Sequence, residues 1–173
     1  SQGNYSVTYA NGDFEITKAN TTLAVTGYNG TYDGEAHGLT VVPAVTEGTT
    51  ITYSIDGENW TDEAPSITNV GSQTYKVKAS NANYNDVIEE ATLTVTAKAV
   101  TVTGVGGSKV YGEEDPAAFT ANVEGLVGED SITYTVSREA GENVGHYAVI
   151  PSGAASQGNY SVTYANGDFE ITK

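Results

Sequence analysis

The sequence predicts an all-β protein built from two β-sandwich modules in tandem. Polar and apolar residues alternate with a period of two in several short runs, which is the pattern of half-buried strands. The 173-residue chain contains 12 Tyr and 20 Gly and is rich in Thr and Val, and these types favour strands and the turns between them. No segment shows a sustained helical period. Short strands separated by turn signals are typical of a sandwich.

The strands and turns can be placed in chain order. Alternating runs lie at residues 50–55, 75–78, 92–96 and 132–136. Asn166-Gly167 stands between two such runs, and this dipeptide predicts a two-residue hairpin. Asp56-Gly57 predicts another turn. The tripeptide Asn-Val-Gly, at 69–71 and again at 143–145, is expected to lead into a new strand each time.

The chain also contains a long and perfect internal duplication. Its first segment, SQGNYSVTYANGDFEITK at residues 1–18, recurs letter for letter at 156–173. Such identity indicates a tandem array whose unit is the distance from Ser1 to Ser156. Because the chain also contains no Met, we expect it to be an internal segment of a longer repeat protein.

A second, fainter repeat divides the chain into modules. Each half carries an early Tyr turn with Gly, then Asn-Val-Gly, then Asn-Tyr, and closes on an alternating strand that ends in Lys. We therefore predict module one at residues 19–98 and module two at 99–173. Residues 1–18 are then an orphan hairpin, the C-terminal part of a preceding module two. The junctions lack runs of Gly or Pro, so we expect a strand to run from one module into the next and stiffen a rod.

The orphan hairpin is expected to expose strand edges and apolar side chains, namely Tyr5, Val7, Phe14 and Ile16. Two hypotheses follow. The segment either replaces its twin at 156–173 in a neighbouring molecule, which gives strand-swapped head-to-tail self-association, or it simply extends from module one. The sequence leaves both open.

Composition excludes several function classes. The chain has 7 Lys and Arg against 22 Asp and Glu, a formal charge of −15, which repels nucleic acid and anionic lipid. It has no Cys, which excludes disulfides, zinc thiolate sites and cysteine catalysis. Small modules often need a covalent staple. A Lys isopeptide bond is one hypothesis; the other is that Lys76, Lys78, Lys98 and Lys109 face solvent and protect strand edges.

No catalytic or cofactor-binding residues are predicted, and we expect no enzyme. The two histidines, His37 and His146, lie in no catalytic motif and are expected to be structural. Calcium is the only cofactor left open, because it binds clustered loop carboxylates. Acidic residues lie in the loops at 113–115 and 129–130 and at Asp33 and Glu35. The alternative is that these carboxylates are simply solvated. The single Trp60 either packs on the sandwich or stacks on a sugar ring.

The motifs of module two carry a family resemblance. They are KVYGEEDP at 109–116, VEGLVGED at 123–130, SREAGENVGHY at 137–147 and the Asn159-Tyr160 pair. With them, module two resembles the MBG domain of the YGX type, which occurs in tandem in bacterial cell-surface adhesins. Module one is similar to a related bacterial Ig-like domain through YDGEAHG, YSIDGENW and VKASNANY, at 32–38, 53–60 and 77–84. The resemblance implies Ig-like sandwiches, although a β-grasp arrangement with a short helix at 115–121 stays open for module two.

The resemblance also implies a function. It suggests an extracellular protein, attached to the cell wall, whose repeats form a stalk that projects a distal binding domain. The alternative is that the modules themselves bind mucin or other host glycans weakly and gain strength by repetition. A more remote hypothesis is an accessory module of a polysaccharide-degrading enzyme. The resemblance assigns no ligand-binding residue.

Overall fold

A computed structural model describes residues 3–173 and shows an all-β chain; within these residues no helix occurs. The described residues form sixteen strands. The first eight are β1 Leu23–Thr26, β2 Tyr28–Thr31, β3 His37–Gly38, β4 Thr40–Pro43, β5 Thr49–Ser54, β6 Ser66–Ile67, β7 Gly71–Asn81 and β8 Val87–Thr96. The other eight are β9 Lys98–Gly104, β10 Gly107–Val110, β11 Ala121–Glu124, β12 Thr135–Arg138, β13 Gly145–Ser152, β14 Ser156–Gln157, β15 Tyr160–Ala165 and β16 Gly167–Thr172.

Module one is a sandwich with one large and one small face. The large sheet has the order β2-β8-β7-β5, with β2 and β8 parallel and the other pairs antiparallel. The antiparallel pair β1–β4 covers it, and a short pair β3–β6 closes one end. The buried core consists of Leu23, Val77 and Ala79. These residues are buried because every second side chain of β1 and β7 points inward.

Module two consists of two four-stranded sheets, with the orders β10-β16-β13-β12 and β11-β9-β15-β14. Both contain one parallel pair, β10–β16 in the first and β9–β15 in the second. The first sheet contributes the buried side chains of Val149, Phe169 and Ile171 to the core. Val100, Val102, Tyr160 and Val162 are buried from the second sheet. The all-β sandwich prediction is confirmed, and no helix forms at 115–121, so the β-grasp alternative is wrong.

The structure confirms most of the predicted turns and strands. The run at 50–55 falls in β5, the run at 75–78 in β7 and the run at 92–96 in β8. Both Asn-Val-Gly motifs lead into strands, β7 at Gly71 and β13 at Gly145. The run at 132–136 is only partly correct, because its strand begins at Thr135.

The predicted hairpin at Asn166-Gly167 is wrong. The strands on either side of it, β15 and β16, lie in different sheets and do not pair with each other. Instead β15 pairs with β9 and β14, while β16 pairs with β10 and β13. The chain therefore crosses between the two sheets at Asn166, and the dipeptide marks a sheet-to-sheet crossing.

The orphan hairpin predicted at residues 1–18 is wrong for the same reason. Ser1 and Gln2 lie outside the described residues, and residues 3–18 form no strand. Their side chains are exposed: Phe14 is 89% exposed, whereas its twin Phe169 is 2% exposed. Residues 3–18 lack the partner strands of their twin, because β15 and β16 of the twin pair mainly with β9, β10 and β13, and only the short β14–β15 pairing lies within the segment itself.

Candidate functional site at the module junction

The two modules are joined by a single residue. Strand β8 of module one ends at Thr96, and β9, which continues into module two, begins at Lys98, so only Ala97 separates the two strands. The Tyr32 amide donates to the Thr96 carbonyl at 2.9 Å, and the Lys98 amide donates to the Asn159 carbonyl at 2.9 Å. The backbone is therefore hydrogen-bonded to a neighbouring strand immediately before and immediately after the junction. The expected strand-through connection is present, while the boundaries 19–98 and 99–173 stay predictions.

A continuous apolar core crosses the junction. Tyr32 and Val95 of module one are buried in one cluster with four residues of module two, which are Val100, Val102, Tyr160 and Val162. The rings of Tyr32 and Tyr160 meet edge to face, with 5.5 Å between their centroids. Such aromatic pairs add to the stabilisation that comes from buried area. The two modules thus share buried side chains in addition to the covalent connection.

The exposed Asp130 carboxylate is hydrogen-bonded to the two tyrosines of this core. Its Oδ2 accepts hydrogen bonds from the Tyr32 hydroxyl at 3.0 Å and from the Tyr160 hydroxyl at 2.5 Å. The bond to the carboxylate raises the pKa of Tyr32, and burial together with the same carboxylate raises the pKa of Tyr160. The Val127 amide donates to the Tyr160 hydroxyl at 3.0 Å. One carboxylate therefore ties a tyrosine of each module to the same point.

A second polar contact flanks the apolar cluster. The Asn159 side chain accepts a hydrogen bond from the Val70 backbone amide at 2.9 Å. It also donates a hydrogen bond to the side-chain oxygen Oδ1 of Asn69 at 3.0 Å. Both Asn69 and Val70 belong to the Asn-Val-Gly motif of module one. The motif thus has two roles, because it starts β7 and also contacts the next module.

A charge cluster with two buried cations and two more exposed carboxylates lies in module two, next to the Tyr111-Gly112-Glu113 loop. Lys109 is only 5% exposed in its side chain and forms ion pairs with Asp115 at 2.8 Å and Glu142 at 2.5 Å. Arg138 bridges the same two carboxylates at 2.8 and 2.6 Å. Hydrogen bonds from Lys109, then from Arg138, lower the pKa values of Asp115 and Glu142. The prediction that Lys109 faces solvent is therefore wrong.

The same cluster bears on the isopeptide hypothesis. Amide formation needs a neutral amine and a protonated carboxyl group, but the bonds to Asp115 and Glu142 raise the pKa of Lys109. The geometry thus favours an ion pair over condensation. Of the other lysines, Lys76 lies 3.8 Å from Glu90 and Lys78 covers a tryptophan ring.

The two histidines have structural partners. The Nε2 atom of His37 lies 3.0 Å from both carboxylate oxygens of Asp33, and its ring stacks on Tyr28 with 3.7 Å between centroids. The Nδ1 atom of His146 lies 2.8 Å from Asp168, a contact that raises the pKa of His146. Each histidine thus contacts an aspartate of its own module, as the structural role expected from the sequence requires.

The candidate calcium ligands are dispersed among other partners. Asp115 pairs with Lys109 and Arg138, and Asp130 accepts from two tyrosines. Asp33 contacts His37, while the Glu113 carboxylate accepts from the Val110 amide at 3.0 Å. Across residues 3–173, no three His, Cys, Asp or Glu side chains come together as metal ligands.

Trp60 closes the loop after β5. Its indole N–H donates to the Gly57 carbonyl at 3.1 Å, and the Lys78 ammonium lies 4.3 Å above its ring. Asp56 organises the same loop, because its carboxylate accepts hydrogen bonds from the backbone amides of Glu58 and Asn59. These bonds, led by those from Asn59, hold the pKa of Asp56 well below its usual value. Beside this loop lies an open groove of roughly 250 Å³, lined by Tyr53, Ile55, Asn59, Glu63, Pro65 and Tyr75.

Sequence reasoning missed the roles of Tyr32, Asp130 and Arg138. The Tyr turns were recognised as a repeat, but nothing in one sequence shows that the first of them is buried by a neighbouring module. Arg138 is the only arginine of a strongly acidic chain. That rarity was an available signal for a buried, multiply paired cation.

Comparison with known families supports the assignment of module two. The family model described as the MBG domain (YGX type) matches residues 100–170. A search of curated proteins gave no match. MBG domains are repeat domains of bacterial surface proteins and are not known as an enzyme family. Over the described residues, no helix is long and apolar enough to cross a membrane. The match covers most of the second module, which contains the Lys109–Arg138 cluster and much of the junction core, so this module is similar to an MBG domain of the YGX type.

Proposed function

We propose that this chain is a non-catalytic repeat region of a bacterial surface adhesin, and that it acts as a stalk which projects a distal binding domain. In this proposal the protein is extracellular and attached to the cell wall. The MBG match to residues 100–170 supports a surface protein. The formal charge of −15 supports the stalk, because like-charged repeats repel one another and stay soluble.

The junction is the observation that carries the proposal. A stalk must transmit position and force between modules, so its modules must not rotate freely. A one-residue connection, a shared apolar core and a carboxylate bonded by both modules all restrict rotation. Independent domains on a flexible linker would lack these contacts.

The stiffness of the junction can be measured by pulsed electron paramagnetic resonance. The chain has no Cys, so two spin labels can be attached at Ser72→Cys in module one and Thr101→Cys in module two without background. We expect a single narrow distance distribution, as narrow as that of a control pair within module two at Thr101→Cys and Ser137→Cys. A broad distribution for the first pair with a narrow control would contradict the stalk.

We also propose that the chain works without a bound metal, since Asp115 and Asp130 already have protein partners. The thermal unfolding midpoint is then expected to be the same in calcium and in EDTA. A midpoint that rises with calcium would overturn this part of the proposal.

One observation favours a second candidate function, weak binding of mucin or other host glycans. The groove beside the Trp60 loop brings Tyr53 and Tyr75 together with Asn59 and Glu63. Aromatic faces stack on sugar rings, and amide or carboxylate groups bind hydroxyls. Each module would bind weakly, and repetition would supply avidity.

A glycan and mucin array tests this second candidate. Saturable binding by the full chain and by a chain without residues 1–18 would support it. That binding should be lost in Tyr75→Ala and kept in Thr74→Ala. Thr74 is a suitable control because it is exposed on the same strand. No binding by either chain would leave the stalk as the proposed function.

A further inference from the structure

The free end of module two exposes an apolar patch that no described residue covers. We call it the distal face and define it by Val110, Tyr111 and Val144, which are 45%, 62% and 47% exposed. In a chain this acidic, exposed aromatic and aliphatic side chains at one end of a module indicate a contact surface.

The distal face matches the end of module one that contacts module two. The Tyr111 amide donates to the Thr172 carbonyl at 2.9 Å, as the Tyr32 amide donates to the Thr96 carbonyl at 2.9 Å. Both tyrosines follow a strand that pairs in parallel with the last strand of their module. Tyr111 therefore occupies the position of Tyr32, yet Tyr32 is only 8% exposed because module two covers it.

The Asn-Val-Gly motifs show the same correspondence. Val144 precedes β13 in the way that Val70 precedes β7. In module one, the Val70 amide and the Asn69 side chain bind Asn159 of module two. In module two, Asn143 and Val144 occupy the equivalent position before β13, and no described residue binds them in that way.

The start of module one has the features that the start of module two uses to receive a neighbour. Ala19 pairs in parallel with Tyr84, as Lys98 pairs with Tyr160. The Ala19 amide donates to the Asn83 carbonyl at 3.0 Å, and the Lys98 amide to the Asn159 carbonyl at 2.9 Å. Each module thus begins beside an Asn-Tyr pair.

The receiving loop is also repeated. The Thr49 amide donates to the Thr46 carbonyl at 3.2 Å, and the Asp130 amide donates to the Val127 carbonyl at 3.0 Å. These two turns follow β4 and β11, which pair with the first strand of each module. The loop that covers Tyr32 therefore has a counterpart in module one, with Thr49 at the position of Asp130.

The connection between modules has the same length in both cases. At the described junction, Ala97 alone separates Thr96 from Lys98. Because 1–18 and 156–173 are identical, Lys18-Ala19 shows the peptide that joins module two to module one in the repeated sequence. Lys173 would then be the single residue between Thr172 and the first residue of the next module.

We propose that the distal face of module two binds the start of a further copy of module one, joined through a Lys173–Ala19 peptide bond and packed as module two packs on module one. Tyr111 takes the place of Tyr32, and Asn143 and Val144 contact Asn83 of the added copy. This inference rests on the proposed stalk function. The new junction differs in one respect: Thr49 replaces Asp130, so apolar contacts hold Tyr111 without a carboxylate.

A chain in which residues 19–98 are fused after Lys173 tests the proposal. One spin-label pair, at His146→Cys and at Thr22→Cys of the added copy, reports on the new junction. The pair at Ser72→Cys and Thr101→Cys reports on the described junction in the same chain. Ser72 and His146 are the second residues of β7 and β13, and Thr22 and Thr101 lie at the same distance from Ala19 and Lys98, so the two pairs are matched.

We expect both pairs to give narrow distributions, and Tyr111→Ser with Val144→Ser to broaden only the new pair. A broad new pair beside a narrow described pair would overturn this inference and leave the stalk proposal intact. Broad distributions for both pairs would overturn the stalk proposal itself. A narrow distance distribution at the new junction that the double substitution does not broaden would also contradict the proposed contact. So would a molar mass that rises with protein concentration only while Tyr111 is present.

Discussion

At the residue scale, this protein uses a few hydrogen-bonded polar side chains to hold its elements in place. Asp130 is the clearest case, because both of its hydrogen-bond donors are tyrosines and they come from different modules. Asp130 itself is exposed, but Tyr32 and Tyr160 are buried, and a buried hydroxyl that loses this carboxylate loses a charge-assisted hydrogen bond. The position therefore couples the two modules energetically as well as geometrically.

We predict that Asp130→Ala and Tyr32→Phe each destabilise the chain and that their effects are not additive. Both substitutions remove the same intermodule hydrogen bond, so the double variant should be more stable than the sum of single losses predicts. Chemical denaturation of the four chains measures the coupling. Tyr111→Phe, at the matching but uncovered position, is the control and should leave stability unchanged. Strict additivity would show that the bond contributes nothing.

The Lys109–Arg138 cluster predicts a dependence of stability on acid. The folded pKa values of Asp115 and Glu142 are lowered, so their contribution is fully present above the ordinary carboxyl values of about 4 and is lost as the pH falls through the folded values. The unfolding midpoint should therefore fall steeply below about pH 4.

The source of that slope can be tested by substitution. Asp115→Asn together with Glu142→Gln should make the loss of stability below about pH 4 shallower, while the exposed control Asp62→Asn should leave the slope unchanged. An equally steep loss in the double variant would assign the acid sensitivity to other carboxylates.

At the element scale, the sandwich of module two depends on two short crossings between its sheets that lie side by side. The first is at Gly104–Gly106 between β9 and β10, and the second is at Asn166 between β15 and β16. The two crossings touch: a Cβ added at Gly104 would lie 2.5 Å from the Val149 carbonyl and 2.8 Å from the Gly167 amide nitrogen. Only glycine allows the two backbones to approach so closely.

We predict that Gly167→Ala destabilises the protein by about 1–3 kcal/mol, because the new methyl group would overlap the Gly104 carbonyl and force the crossing apart. The chain supplies its own control in the duplicated segment. Gly12 is the twin of Gly167 and has no atom near its added Cβ, so Gly12→Ala should change stability by less than about 0.5 kcal/mol. Equal effects in thermal unfolding would contradict the crossing argument.

At the scale of the whole molecule, the chain carries the same strand-forming segment twice but has only one place for it. At 156–173 the segment supplies β14, β15 and β16, which lie within the two sheets of module two. At 3–18 it is exposed, with Tyr5 78% exposed against 4% for its twin Tyr160. The two copies are chemically identical, so only connectivity decides which of them folds into the sheets.

We predict that strand-swapped self-association appears only at high protein concentration. The copy at 156–173 is linked to its own module and competes at an effective concentration on the order of mM. Chain refolded well below that value should be monomeric, and chain refolded near it should contain dimers and longer head-to-tail species by light scattering. Phe14→Ala should suppress these species without changing monomer stability, and a chain without residues 1–18 should form none. Monomer at every concentration would refute the swap.

The sequence by itself determined the fold class, most strands and turns, and the resemblance of the second module to the MBG domain, because these depend on local alternation, turn chemistry and motif spacing. It could not decide which strands pair. Asn166-Gly167 had every local mark of a hairpin, yet β15 and β16 bind strands that are distant in the chain, since burial on two sheets outweighs a local turn preference. Lys109, Tyr32 and Asp130 likewise gained their roles only when folding brought Arg138, Asp115 and the neighbouring module to them. Pairing, burial and the module junction are long-range properties, and the tertiary structure alone decides them.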